Sequence, residues 1–137
     1  MIENVTHDNQ LLAIIVRHDY YKDGIEFFTP GDFSQQLAYM NHKKGYVIQP
    51  HVHNVVRREV LYTKEVLVVK RGRMRTDFYT DDREYVCSRE LATGDVLLLA
   101  AGGHGFEMLA DTEMYEIKQG PYAGDNDKTR FMPKMPN

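Results

Sequence analysis

The chain is poor in cysteine, in long apolar runs and in basic charge, and each shortage excludes a class of protein. Cys87 is the one cysteine in 137 residues, so no intrachain disulfide can form and a secreted disulfide scaffold is ruled out. The apolar run at residues 11–16 is too short for a membrane span or for the core of a cleaved leader. A cytoplasmic protein with no membrane partner is the expectation that remains. Lys and Arg total 17 against 20 Asp and Glu, a formal charge of -3, and without a cationic face no nucleic-acid partner is expected. The densest basic stretch, Lys70, Arg71, Arg73 and Arg75, alternates with Met74 and Thr76 as one solvated face of a strand would. Internal repeats, low-complexity tracts and an acyl-transfer triad are missing too. The loop Gly102-Gly103-His104-Gly105 has no Lys-Ser or Lys-Thr pair and no helix after it, which excludes a phosphate-cradling loop.

What is present is a succession of short apolar or alternating runs with turn residues between them, at the spacing of an all-β sandwich, barrel or jelly roll. Strands are predicted at residues 11–16, 25–29, 37–41, 46–49 running on to His53, 62–70, 73–79, 84–91, 96–99, 106–109 and 114–118. Residues 33–40 alone tolerate a turn or two of helix. Hydrophobic residues make up 42% of the chain, enough for one domain with its own core at this length. The domain core is expected at about residues 11–119. Residues 120–137 turn to Pro, Gly, Asp and Asn and read as a tail whose Tyr122 and Phe131 pack either along the domain or across a dimer.

Four residues stand out as candidate metal ligands. His51 and His53 are two apart on a predicted strand, so both imidazoles project to one face. Glu65 stands on the next predicted strand, and a hairpin joining the two would bring its carboxylate within reach of a shared cation. His104 lies among small residues that permit a tight loop and close backbone approach to an ion. Glu59 competes with Glu65, being nearer to His53. Glu65 is preferred because Gly72 follows it at seven positions and the apolar run 66–69 follows directly, whereas Val66 stands seven positions after Glu59. Glu107 and Glu116 lie on the late strands and are the candidate acid and base groups. His7, His18 and His42 lack paired spacing and read as surface or capping histidines. Cys87 has no evident base partner and reads as an inert thiol.

Taken together these positions resemble the two motifs of the cupin superfamily. Gly45, His51, His53, Glu65 and Gly72 fill the first, with eleven residues between His53 and Glu65 where three or four are usual. Gly94, Gly102 and His104 fill the second, with Ala100 in place of its proline, Met108 in place of its asparagine, and one residue fewer before the histidine. The resemblance implies a double-stranded β-helix, a jelly-roll barrel of residues 1–137, binding a divalent transition metal (Fe, Mn, Ni, Co or Zn) through His51, His53, Glu65 and His104. It implies a small polar substrate, such as a sugar derivative, and a homodimer paired through edge strands. Three functions are compatible with it: a sugar isomerase or epimerase using the metal as Lewis acid, an Fe(II) oxygenase, and a non-catalytic module that binds a sugar.

Overall fold

The computed structural model describes residues 1–133. Ten strands run along the described residues: β1 Ile2–His7, β2 Gln10–Val16, β3 Gly24–Phe27, β4 Ala38–Asn41, β5 Glu65–Arg71, β6 Arg73–Tyr79, β7 Tyr85–Ala92, β8 Val96–Leu99, β9 Gly103–Met108 and β10 Glu113–Lys118. One 3-10 turn, Gly124–Asp127, follows them. The chain is all-β, and every strand pairing is antiparallel. It divides into two compact units, one of Tyr21–Tyr62 and one of Met1–Tyr20 with the chain from Thr63 onward.

The larger unit holds a five-stranded sheet in the order β1-β2-β8-β5-β10 and a three-stranded sheet in the order β7-β6-β9. From β5 onward the chain passes repeatedly between them, a path compatible with a sandwich or jelly roll. Among the described residues the sheets do not close into a barrel. Val5, Ala13, Ile15, Leu67, Val69, Leu97 and Leu99 of the first sheet share one apolar cluster with Met74, Phe78 and Leu91 of the second. Each of the larger side chains among them contributes roughly 2 kcal/mol by leaving water. Ile14, Val66 and Leu98 on the other face of the first sheet are buried as well, which is why β2, β5 and β8 read as continuous apolar runs rather than alternating ones.

Two glycines are fixed by close approach. Gly72 turns β5 into β6 at φ 112°, and a Cβ there would stand 2.4 Å from the Asp111 carbonyl oxygen. Gly102, at φ 73°, enters β9 with the Tyr79 carbonyl oxygen 2.3 Å from where a Cβ would be. The close approach expected at this loop is therefore made by a neighbouring backbone.

Several expectations are corrected. β1 was not foreseen, because residues 1–10 read as polar and acidic. It pairs with β2 through a two-residue turn in which Asp8 and Asn9 both take positive φ, 48° and 62°, the backbone that Asp and Asn tolerate and that matches strand twist. Residues 33–37 form no helix, and β4 begins at Ala38. The strand expected from residue 46 through His53 is absent, since residues 46–61 take no regular structure. The hairpin expected between that strand and Glu65 is absent with it, and β5 pairs instead with β8 and β10. β propensity is realised only against a neighbouring strand. The smaller unit contains one pairing, β3 with β4.

Candidate functional site

Strand register brings Glu65 and His104 together. Glu65 opens β5 opposite Leu99 of β8 and Lys118 of β10, on the face that carries the core residues Leu67 and Val69. His104 lies on β9 opposite Phe78 of β6, and cross-strand partners share a face, so its ring points to the same interior. The two side chains meet at the end of the core, with His104 Nε2 3.0 Å from Glu65 Oε2. The Glu65 side chain is 13% exposed and that of His104 31%. The His104 ring tilts against Phe106, centroids 5.4 Å apart.

Glu65 is held below the usual carboxylate range, first by its hydrogen bond with His104. Burial opposes that effect, while the His104 charge, the Glu116 carboxyl and the Lys118 ammonium add smaller pulls in the same direction. Glu116 and Lys118 face the same side of the sheet as Glu65, being opposite Leu67 and Glu65 in the ladder. Glu107 does not join them. It pairs in register with Arg75, on the opposite face of its sheet from His104, and its carboxylate lies 2.8 Å from the Arg75 guanidinium.

The pair lines a cavity of about 490 Å³. Thr63, Tyr79 and residues 102–105 form one wall, and the C-terminal segment forms the other with Asp127, Lys128, Arg130, Phe131 and Pro133. Phe131 anchors that segment within its own chain: its ring stands edge-on to Tyr79 at 5.0 Å, with the Arg83 guanidinium 5.8 Å from its centroid. Gly103 leaves room for it, since a Cβ there would lie 3.2 Å from the ring. The Thr63 hydroxyl donates to the Asp127 carboxylate. Tyr122, by contrast, is exposed. Sequence reasoning singled out Phe131 but missed Tyr79 and Thr63, which carry no motif. Their only signal is adjacency to strand ends.

His51 and His53 belong to the smaller unit. Their rings stand edge to face, 5.2 Å between centroids, and His51 Nδ1 lies 2.9 Å from the Gln49 carbonyl oxygen. Glu59 stands in the same irregular segment, exposed. Of the other histidines, His42 stacks on Tyr46 at 4.0 Å, and the His18 backbone N–H donates to Asp95.

Glu65 and His104 offer one oxygen and one nitrogen donor, and their 3.0 Å contact is that of a hydrogen-bonded pair. A mixed nitrogen and oxygen donor set is of the kind that first-row divalent ions accept. Among the described residues no group of three or more His, Cys, Asp or Glu side chains is gathered as a metal site. No helix among them is long and apolar enough to cross a membrane. Comparison with protein-family models, with curated proteins and with solved structures finds no match.

Proposed function

We propose that the chain is a metal-binding protein of the cupin type, with Glu65 and His104 as two ligands of a divalent transition metal, acting as an isomerase or epimerase on a small polar substrate such as a sugar derivative. The observation that carries this reading is the Glu65–His104 pair, 3.0 Å apart on the wall of a cavity large enough for such a molecule. His51 and His53 are the further ligands nominated by their resemblance to the first cupin motif. A metal held there would supply Lewis acidity to a carbonyl or hydroxyl of the substrate.

The chain's own groups supply the rest. Glu65, kept ionised by its hydrogen bond with His104, offers a negative donor at neutral pH. Glu116 shares its face and stands beside it, the position from which a carboxylate takes or returns a proton at a bound substrate. Lys118, opposite Glu65, favours the ionised form of Glu65. The aromatic wall of Tyr79 and Phe131 excludes water from one side of the cavity and offers an apolar surface to a sugar ring.

Metal analysis of the purified protein, with Co2+ titration of wild type, Glu65→Gln and His104→Ala, tests the reading. One bound ion per chain in the wild type and loss of it in both variants is expected. A wild type that takes up no Co2+, Zn2+, Ni2+, Mn2+ or Fe2+ refutes it. With metal bound, loss of turnover in Glu116→Gln supports proton transfer by that group. Binding of a sugar derivative without turnover would reduce the role to capture, and oxygen uptake would move it to an oxygenase.

A further inference from the structure

The C-terminal segment that walls the cavity owes its place to very little of its own backbone. Among the described residues, the last backbone hydrogen bond from this end of the chain to the body is that of the Gln119 N–H to the Lys64 carbonyl oxygen, at 3.2 Å. Residues 128–133 take no regular structure, and all but Phe131 are exposed. Side chains fasten the segment instead: the Phe131 ring against Tyr79 and Arg83, and the Asp127 carboxylate under the Thr63 hydroxyl. A stretch with so few buried contacts and no ladder lies at the low end of local stability.

The body, by contrast, is shaped for that one ring. Gly103 has no positive φ to require a glycine, yet a Cβ there would stand 3.2 Å and 3.4 Å from two atoms of the Phe131 ring and 3.3 Å from the Tyr79 Cβ. Arg83 is the converse. It takes φ 70° in the hairpin between β6 and β7, which the Thr80 N–H closes on the Glu84 carbonyl oxygen at 2.9 Å, and glycine or asparagine is the less strained choice for such a backbone. Its guanidinium is the group that lies 5.8 Å from the Phe131 centroid. A glycine thus stands where the backbone accepts a side chain, and a long side chain where the backbone favours glycine. Both departures meet the same ring.

We propose that residues 127–133 form a lid on the cavity, latched by Phe131 in the seat of Tyr79, Arg83 and Gly103. Withdrawal of the ring frees the wall that Asp127, Lys128, Arg130 and Phe131 make, and a molecule too large for the closed mouth then reaches Glu65 and His104. Return of the ring shuts bulk water out behind it. The lid governs access whatever the cavity binds, and so stands apart from the metal reading above.

Trypsin reports the latch, because Lys128 and Arg130 lie in the lid and the protease acts on the detached form. Phe131→Ala should raise the rate of cleavage after both residues about tenfold, with cleavage after Lys43 and Lys44 unchanged as the internal control. If Phe131→Ala loses the circular dichroism of the wild type, Arg83→Gly takes its place, since it removes the guanidinium while easing the backbone, and faster lid cleavage is again expected. Equal lid cleavage in wild type and variant overturns the proposal. Gating is read by a thiol placed inside the cavity. In a Cys87→Ser background, His104→Cys is labelled with iodoacetamide and with a maleimide carrying a polyethylene glycol chain. The small reagent enters the closed mouth, where the His104 side chain is 31% exposed, and corrects for the reactivity of the thiol itself. Adding Phe131→Ala should raise the ratio of bulky to small labelling rates about tenfold. A ratio that stays the same with the ring removed shows that the wall does not gate the cavity, and overturns the proposal equally.

Discussion

The two ends of the larger unit each hold an acid with a basic partner, and they differ in what is left over. At one end Asp95, just before β8, is 2% exposed. It accepts from the Arg17 guanidinium at 3.0 Å and from the backbone N–H groups of His18 and Ala92, each at 2.9 Å. Arg17 in turn holds Glu3 at 3.1 Å and the Glu90 carbonyl oxygen at 2.7 Å. Both carboxylate oxygens of Asp95 accept hydrogen bonds. At the other end of the same strand, Leu99 stands opposite Glu65, whose principal partner is one imidazole and which opens on a cavity. A saturated acid fastens the fold. An acid with lone pairs to spare beside open space is available to a ligand.

That contrast is broken most strongly at Asp95. Asp95→Ala leaves a guanidinium and two backbone donors without their acceptor, and unfolding in urea should show a loss of about 2–4 kcal/mol. Glu65→Gln keeps the shape at the opposite end and should change unfolding by less than about 1 kcal/mol, and on the proposed metal reading it lowers Co2+ affinity on the order of a hundredfold. A stability loss at Glu65 as large as at Asp95 would make it a fastening residue too.

Phe131→Ala removes an edge-to-face ring contact and part of the cavity wall. It should cost about 1–2 kcal/mol and raise the rate at which diethyl pyrocarbonate modifies His104, followed by peptide mass, relative to His7. Gly103→Ala crowds the same ring and should act in the same direction with a smaller effect. The smallest change is expected in residues 46–61. Val55→Ser, at a fully exposed position, should alter unfolding by less than about 0.5 kcal/mol at protein concentrations where copies are separate. A larger effect there would show that Val55 is packed within its own chain.

How far the sequence could be read follows the range of the forces involved. β6 and β8 are found where alternation and apolar runs place them, because the turn at Gly72 and the Thr93-Gly94 corner are local chemistry. β1 escaped because Ile2 and Val5 are its only large apolar residues. The Asp8-Asn9 pair, a favourable two-residue turn, was its overlooked signal. The stretch around His51 and His53 misled in the opposite sense: its β-branched residues suit a strand, but suitability does not supply a neighbour. Glu107 was grouped with Glu116 as a candidate acid or base. One residue of parity decides that it faces Arg75 rather than His104, and parity is fixed by the ladder with β6.

By itself the sequence determined an all-β chain, the glycine turns that punctuate it, and the residues able to offer nitrogen and oxygen donors, since each of these depends on a residue and its near neighbours. Only the tertiary structure decided that Glu65 and His104 meet, that Asp95 is saturated, and that Phe131 closes a wall. Those facts depend on which strands pair and in what register, which is settled by burying one apolar face against another across distant stretches of chain.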